Sequence, residues 1–219
     1  MDYKRFNKYF AQKPPVAAYA IGFGLIVIGA VIVIIQGGLY RALSYYVGVP
    51  LAVIGLLIVA ITKGIIIPDS EADKQLSELL DSVMDRFYEN FKLSARENSI
   101  EPVQFKSYIY EDPQAKLKRG SNKIYRSSEY GAGAVLLATT KLCILYKTAS
   151  LVEEKKQTFL FETEFSEITD VSYEAGEYDT TMKLSVSAGG NSIMMIVPND
   201  AIMDDLYEKI KNRTPLRNS

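Results

Sequence analysis

Five basic residues lie close together in the middle of the chain, and they are the side chains best suited to binding chemistry. Clustered lysine and arginine attract phosphate groups, and each one near an anionic membrane surface adds about 1 kcal/mol of binding. We therefore predict that these residues bind anionic lipid: Lys116, Lys118, Arg119, Lys123 and Arg126. The alternative is a solvated surface loop whose charge is diluted by the nearby Glu111 and Asp112.

A second charged segment, residues 162–179, is purely acidic. Paired carboxylates can carry out acid–base catalysis. These acids, however, fall at alternate positions of predicted strands and in turns, where solvated carboxylates are typical. We interpret all of them as surface residues: Glu162, Glu164, Glu167, Asp170, Glu174, Glu177 and Asp179.

Other residues that usually carry out catalysis or bind metals are scarce. The chain has no histidine, which removes the commonest general base near neutral pH and the commonest metal ligand. It also has no Gly-rich phosphate loop and no calcium-loop pattern. The sequence therefore predicts a protein that is not an enzyme, with no catalytic residue, no metal site and no cofactor.

The single cysteine and the net charge narrow the setting. Cys143 lies in an apolar strand and is predicted to be a buried, inert thiol. One cysteine excludes an intramolecular disulfide and fits a reducing compartment. The formal net charge of −1 lacks the basic excess that nucleic-acid binding requires, so no nucleic-acid partner is expected.

Two long apolar segments precede the basic cluster. Val16–Ile35 has no charged residue, and Tyr46–Ile67 has only Lys63, near its end. A helix needs about 20 apolar residues to cross a bilayer core about 30 Å thick. Because Gln36–Arg41 is a short turn with two glycines, residues 16–67 are predicted to form an antiparallel two-helix transmembrane hairpin. A cleaved signal peptide is disfavoured, since the first apolar stretch is too long and a second follows at once.

Small residues inside both segments recur at a spacing that lets helices approach closely. The pairs are Ala18/Gly22, Ala20/Gly24 and Gly48/Gly55. We expect them to pack the two helices of the hairpin against each other rather than to form a seam between copies. Since no ionisable residue lies in the middle of either segment, the pattern predicts an anchor and not a transport path.

Positive charges on the flanks predict the orientation of this hairpin. The N-terminal flank has four positive residues, Lys4, Arg5, Lys8 and Lys13, and the connecting turn has only Arg41. The flank richer in lysine and arginine stays inside, so both termini are expected in the cytoplasm of a multi-pass cell-membrane protein. Residues 1–15, which mix aromatic and basic side chains, are expected to form a short interfacial helix on the membrane.

A long amphipathic helix is predicted after the hairpin, from Ser70 to about Asn98, within a linker over residues 68–101. Pro68 ends the membrane segment, and Asp69 or Ser70 can cap the helix. The apolar residues form one stripe at helical spacing: Leu76, Leu79, Leu80, Val83, Met84, Phe87 and Phe91. The heptad pattern is too short for a coiled coil, so we expect the stripe to pack onto the domain that follows.

From Pro102 onward the apolar period changes to two, which indicates β-strands. A hairpin turn at 188–191 and a final amphipathic helix over Ala201–Lys211 follow. The pattern predicts an α+β fold over residues 102–213, a strongly bent antiparallel barrel capped by the terminal helix, with a tail at 214–219. Leu137 and Ile144 are expected in its core. The predicted strands are Val103–Tyr110, Lys123–Arg126, Ala134–Ala138, Leu142–Lys147, Thr158–Glu162, Ile168–Tyr173, Lys183–Ser187 and Ser192–Val197.

Two runs in this domain resemble motifs of GRAM and bacterial pleckstrin-homology-like domains. Residues 130–142, YGAGAVLLATTKL, are similar to the hairpin "G-x-L-x-L-T-x-x-R-L", with Lys141 where arginine is usual. Residues 164–171, EFSEITDV, are similar to the strand entry "I-p-x-x-d-I-t-d-V". The resemblance covers about Val103–Lys211 and implies a PH-like barrel whose first loop binds lipid headgroups in some members. It also implies a bacterial membrane protein with a helix hairpin before such a domain.

Two function classes follow from these features. The first is a non-enzymatic, membrane-tethered PH-like module that binds a cytoplasmic protein partner, the anionic inner-leaflet surface, or both. The second is a structural or assembly subunit, a scaffold of a larger membrane complex that oligomerises through its transmembrane and linker helices. The two differ in their need for these particular helices, since a tether should tolerate replacement helices and an assembly subunit should not.

Overall fold

The computed structural model describes residues 1–12, 15–35, 41–91, 93 and 100–215, and the chain divides into two compact units. One, here called the two-helix unit, is Ala11–Pro68. The other, the β-unit, joins Met1–Phe10 to Asp69–Ser219. The helices are α1 (Tyr3–Ala11), α2 (Val16–Ile35), α3 (Arg41–Ile65), α4 (Asp69–Asn90) and α5 (Ala201–Arg213).

The two-helix unit consists of α2 and α3, and both helices are long and apolar enough to cross a membrane. The bounds of α2 are those predicted, and α3 begins five residues before the predicted Tyr46. The predicted turn lies mostly outside the described residues, which resume at Arg41.

Glycines bring the two helices into backbone contact. A Cβ added at Gly29 would lie 2.5 Å from the Gly48 carbonyl oxygen, and one added at Gly55 would lie 2.5 Å from the Gly22 carbonyl oxygen. Such distances leave no room for a side chain. These glycines therefore let α2 and α3 pack closely within the two-helix unit, as predicted for Gly22, Gly48 and Gly55. Gly29 was not predicted, and no described atom lies within 4 Å of a Cβ placed on Gly24.

The β-unit contains two antiparallel sheets and one short hairpin. The first sheet has the strand order β1-β4-β5-β6, the second has the order β7-β8-β9, and β2 pairs only with β3. The strands are β1 (Val103–Ile109), β2 (Leu117–Arg119), β3 (Tyr125–Ser127), β4 (Glu129–Leu137), β5 (Lys141–Ser150), β6 (Lys156–Glu164), β7 (Ile168–Ala175), β8 (Thr181–Ala188) and β9 (Asn191–Pro198).

The predicted closed barrel is not found among the described residues. The two sheets form separate ladders. They touch where the Ser107 hydroxyl of β1 donates a hydrogen bond to the Ile196 carbonyl oxygen of β9 at 2.5 Å. The sheets therefore pack along one edge and enclose a shared core without a continuous ring of strands.

Helix α5 closes one end of this core, as its sequence pattern predicts. The Asp200 carboxylate accepts hydrogen bonds from the backbone N–H groups of Ile202 and Met203, both at 3.0 Å, which caps the helix. Met203, Leu206 and Ile210 are buried among the apolar residues of both sheets. The α+β class and the terminal helix are thus confirmed.

Helix α4 covers the outer face of the first sheet. Val83, Phe87 and Phe91 contact small and aliphatic residues of β4 and β5, which are Ala132, Ala134, Leu136, Cys143 and Leu145. The prediction that the α4 stripe packs on the domain is confirmed, and Cys143 is buried beneath it. Helix α4 ends at Asn90, earlier than predicted, since Phe91 and Leu93 are not helical. Residues 92 and 94–98 of the predicted helix lie outside the described part of the chain.

Residues 1–10, predicted as part of an interfacial segment, and α4, predicted as a linker helix that packs on the domain, belong to the same compact unit as the sheets. One predicted core residue is corrected. Ile144 is buried as expected, whereas Leu137, at the end of β4, is only partly buried against the core. A loss of about 2–5 kcal/mol on truncation applies to fully buried leucines, so Leu137→Ala should cost less.

Candidate functional site

The predicted basic loop is a folded β-hairpin. Strands β2 and β3 pair through Leu117↔Ser127, Lys118↔Arg126 and Arg119↔Tyr125. Lys123 adopts a left-handed backbone conformation (φ 65°) in the turn, and the Gly120 N–H donates to the Ile124 carbonyl oxygen at 2.9 Å. The segment is thus a structured hairpin, and Lys116, Arg119 and Lys123 are exposed on it; lipid binding by these residues stays a prediction. A three-residue strand is too short for its periodicity to be visible in sequence.

Arg126 is the centre of a polar cluster beneath the hairpin. Its side chain is 4% exposed, and it makes two parallel hydrogen bonds to Asp73 of α4, Nε to Oδ1 at 2.9 Å and Nη2 to Oδ2 at 2.8 Å. Its Nη1 lies 3.7 Å from Oδ2 of Asp69. This fork geometry is the one that arginine makes with carboxylates. The hydrogen bonds to Asp73 raise the pKa of Arg126 further above its usual range, and the guanidinium stays charged.

The two carboxylates of the cluster are satisfied by several donors. The Tyr108 hydroxyl donates to Asp73 Oδ1 at 2.8 Å. The Tyr9 hydroxyl donates to Asp69 Oδ1 at 2.8 Å, and the backbone N–H and hydroxyl of Ser121 donate to Asp69 Oδ2 at 2.8 and 3.0 Å.

These donors decide the charge state of both acids. Burial alone would raise the pKa of Asp69 and of Asp73. The hydrogen bonds and the Arg126 charge outweigh burial and hold both pKa values below the usual 3.8. The cluster therefore holds two carboxylates in their ionised form around one buried cation.

Lys116 and Lys118 bind α1. The Lys118 ammonium donates to the Tyr9 carbonyl oxygen at 3.0 Å and lies 3.6 Å from the centroid of the Tyr9 ring, a cation–π contact. The Lys116 ammonium donates to Asn7 Oδ1 at 2.6 Å, and the Asn7 amide donates to the Val152 carbonyl oxygen at 2.7 Å. Burial lowers the pKa of Lys118.

The aromatic residues of α1 were predicted to lie on a membrane, but two of them face the protein. Phe6 and Tyr9 are buried in the β-unit. Arg5, one of the four N-terminal positive residues, makes an ion pair with Glu71 of α4 at 2.6 Å. The structure thus assigns α1 a docking role, in which its buried face is held by the hairpin and α4.

Three of the predicted basic residues are exposed, Lys116, Arg119 and Lys123. Lys116 binds Asn7 of α1, whereas Arg119 and Lys123 lie on the outer surface of the hairpin. Arg119 lies over the Tyr125 ring, with its Cζ 5.7 Å from the ring centroid. Three exposed apolar or aromatic side chains share this hairpin, Leu117, Ile124 and Tyr125. The surface therefore combines two positive charges with an apolar patch.

The hairpin leaves no room for a larger residue at its turn. A Cβ on Gly120 would collide with Nη1 of Arg126 and lie 2.7 Å from Asp69 Oδ2. Glycine is thus required for the turn to close over the polar cluster. Sequence reasoning missed Asp69 and Asp73 as members of this cluster, although their spacing of four places them on one helix face.

The acidic segment 162–179 shows no cluster that could hold a metal ion within the described residues. No group of three or more metal-binding side chains occurs in that part of the chain. Glu162 instead forms an ion pair with Lys141 at 2.6 Å, and the Thr163 hydroxyl donates to Glu167 at 3.2 Å. The interpretation of the segment as surface carboxylates fits this arrangement.

Comparison with known proteins identified no relative. No family model, no curated protein and no solved structure matches the chain. The resemblance to GRAM and bacterial pleckstrin-homology-like domains remains a prediction from the two motifs.

Proposed function

We propose that this chain is a non-enzymatic, membrane-anchored module whose β2–β3 hairpin rests on the anionic inner leaflet. Helices α2 and α3 serve as the anchor, and the basic and apolar surface of the hairpin contacts lipid headgroups. The acidic segment 162–179 would be repelled by the same surface, which leaves it for cytoplasmic protein partners. The GRAM-like domain resemblance supports the same assignment of headgroup contact to the first loop.

Two contacts carry this proposal. The backbone N–H of Ser121, in the turn of the β2–β3 hairpin, donates to Oδ2 of Asp69 at 2.8 Å, and Asp69 is the first residue of α4. Helix α3 ends only four residues earlier, at Ile65. On the other side, Lys118 binds Tyr9, seven residues before α2 begins. The hairpin is therefore bound to both chain segments that connect the β-unit to the two-helix unit.

The exposed side chains of the hairpin suit a membrane interface. Tyrosine and aliphatic side chains favour the headgroup boundary, where one end is apolar and the other is wet. Arg119 and Lys123 can each add about 1 kcal/mol near anionic lipid. Tethering supplies a high effective concentration, so the contact needs little intrinsic affinity.

A fluorescent label on the hairpin tests the proposal in the full-length protein. An environment-sensitive dye on Ile124→Cys should shift to shorter wavelength in nanodiscs that contain anionic lipid, relative to neutral nanodiscs. High salt should reverse the shift, because the Debye length falls from about 8 Å at physiological ionic strength to about 3 Å at 1 M. Arg119→Glu combined with Lys123→Glu should remove it, and neither residue has a role in the polar cluster.

The control is the same dye on Met194→Cys, an exposed position on β9, which should report no difference between the two lipids. Equal emission from the hairpin label in anionic and neutral nanodiscs would refute the lipid contact. So would an unchanged shift in the Arg119→Glu, Lys123→Glu variant.

Orientation is tested separately. We propose that both termini are cytoplasmic, because four positive residues precede α2 and only Arg41 lies in the turn after it. An impermeant thiol reagent applied to intact cells should label a cysteine at Gly38 and spare one at Ser219. The opposite labelling pattern would place the β2–β3 hairpin outside the cell, where it could not contact anionic lipid of the inner leaflet.

The assembly-subunit alternative uses two surfaces, the transmembrane helices and the α4 stripe. The α4 stripe was to supply oligomer contacts, but Leu76, Val83 and Phe87 are buried within the β-unit. Assembly through helices would therefore depend on α2 and α3. Both helices can be replaced by an unrelated transmembrane hairpin. The replacement should preserve function if the chain is a tethered module, and it should abolish function if the chain is an assembly subunit.

A further inference from the structure

We propose that the chain forms a dimer through β6. The free edge of β6 pairs antiparallel with β6 of a second copy, and the first sheets of the two copies become one continuous sheet. This strand has an unusual surface for a solvent-facing edge. Phe159 is 41% exposed and Leu160 is 53% exposed. A strand edge with unpaired backbone groups and exposed apolar side chains is a template for strand addition.

The free edge of β6 is open to a partner. Strand β6 pairs with β5 on one side, and no described strand pairs with its other side. Residues 156–160 are all exposed. A groove of about 600 Å³ lies beside the middle of β6, and its opposite wall is formed by the β8–β9 turn.

Backbone hydrogen bonds show which residues face outward. The Ser150 N–H donates to the Lys155 carbonyl oxygen, and the Phe165 N–H donates to the Thr140 carbonyl oxygen, both at 3.0 Å. Residues 155 and 165 flank β6, and their hydrogen-bonded backbone groups are directed toward β5. Because backbone groups alternate in direction along a strand, the even-numbered residues of β6 direct their N–H and C=O groups to the free edge.

The sequence of this edge is complementary to itself. Leu160 is the central residue of β6, and a two-fold axis there is the arrangement in which all nine residues overlap. Leu160 then faces Leu160 of the second copy as a hydrogen-bonded pair. Lys156 faces Glu164 at both ends of the pairing, and Thr158 faces Glu162. Opposite charges directly across an antiparallel pair stabilise it, and like charges destabilise it.

The side chains would gain burial on both faces of the joined sheet. Leu160 continues the apolar surface of its β5 neighbour Leu145, which is fully buried. On the other face, Phe159 of one copy would lie opposite Phe161 of the other, and Phe159 already stacks on Tyr146 with ring centroids 6.1 Å apart. A second copy is therefore the occupant that both the charges and the apolar residues favour.

Cysteine cross-linking tests the register in the full-length protein. Directly opposed residues of a hydrogen-bonded antiparallel pair have Cα atoms about 5.5 Å apart, within the range that a disulfide requires. In a Cys143→Ala background, Leu160→Cys should oxidise to a covalent dimer. Met194→Cys, an exposed residue of β9 outside the proposed pairing, should not. Equal cross-linking of both variants, or none for Leu160→Cys, would overturn the proposal.

Charge reversal gives an independent test that does not depend on a reactive thiol. Lys156→Glu places two glutamates opposite each other, and Glu164→Lys places two lysines opposite each other, so each variant should weaken the dimer about tenfold or more. An equimolar mixture of the two variants restores both ion pairs and should dimerise like the wild type. Sedimentation in detergent, with the dissociation constants compared, measures this. A monomer at all concentrations overturns the proposal, as would a dimer that ignores both charge reversals.

Discussion

Helix α4 packs on the rest of the β-unit through contacts of different chemistry at its two ends. At its N-terminal end, Asp69 and Asp73 bind Arg126 through directional hydrogen bonds and charge. At its C-terminal end, Val83 and Phe87 are fully buried on the outer face of the first sheet. Apolar burial is non-directional and supplies most of the stabilisation. A paired buried charge contributes little net stability but defines one geometry, and it becomes costly when one partner is removed.

The comparison indicates a division of roles along one helix. The apolar end holds α4 on the sheet, and the polar end fixes its rotation and the position of the hairpin. That position is the one on which the proposed lipid contact depends. Measurements on the full-length protein in detergent test this division. Unfolding of the β-unit in urea is monitored through the hydrogen exchange of β5 amides.

The largest effect is expected from Phe87→Ala. Its ring is completely buried, and removal of a buried phenylalanine side chain costs about 3–5 kcal/mol of the free energy of unfolding. The matched control is Tyr88→Ala, which removes an exposed ring and a hydrogen bond to the Ile100 carbonyl oxygen. That change should cost about 1 kcal/mol. Equal losses for the two variants would mean that α4 does not depend on its apolar face.

Arg126→Met should have the second-largest effect. It leaves the carboxylates of Asp69 and Asp73 without their shared cation. Breaking a fully buried pair costs about 3–5 kcal/mol, and the partial exposure of Asp73 lowers our expectation to about 2 kcal/mol. Arg126→Lys should not restore the loss, since lysine cannot make the two parallel hydrogen bonds.

The Arg126 variants also separate the two roles of α4. If the polar end fixes the hairpin, Arg126→Met should increase hydrogen exchange at Leu117–Ser127 more than at β5, whereas Phe87→Ala should do the reverse. The same exchange pattern in both variants would contradict the division of roles.

The smallest effect is in the dependence of stability on pH. The pKa values of Asp69 and Asp73 are lowered on folding. Their contribution to stability is therefore present above the unfolded pKa of about 3.8, and it is lost as pH falls through the folded pKa values. Asp69→Asn and Asp73→Asn should each flatten the decrease in stability below about pH 4.

Phe87→Ala serves as the control for pH, because it should lower stability equally at all pH values. Burial raises the pKa of Glu129, which opposes the two aspartates. The relevant quantity is therefore the difference between the wild type and each Asp→Asn variant. Unchanged acid behaviour in both Asp→Asn variants would show that the polar end of α4 is not coupled to folding.

Elements that depend on local pattern could be predicted from the sequence. Charge-free length and composition determined α2, and alternation with turn residues determined the approximate positions of eight strands, because these signals lie within a few neighbouring residues. The terminal helix and the α4 stripe follow from helical spacing in the same way. The three-residue β2 was missed, since one or two alternations do not make a period.

The role of the charged residues was decided only by the tertiary structure. The sequence shows five positive charges in one segment, but not that Arg126 would be buried against Asp73, 53 residues away. It shows aromatic and basic residues in α1, but not that Lys118 would cover the Tyr9 ring from 109 residues away. A charge is visible in composition, whereas its burial depends on which distant side chain faces it. Only the folded chain therefore separates Arg119 and Lys123 from Lys116, Lys118 and Arg126, whose side chains bind residues far away in the sequence.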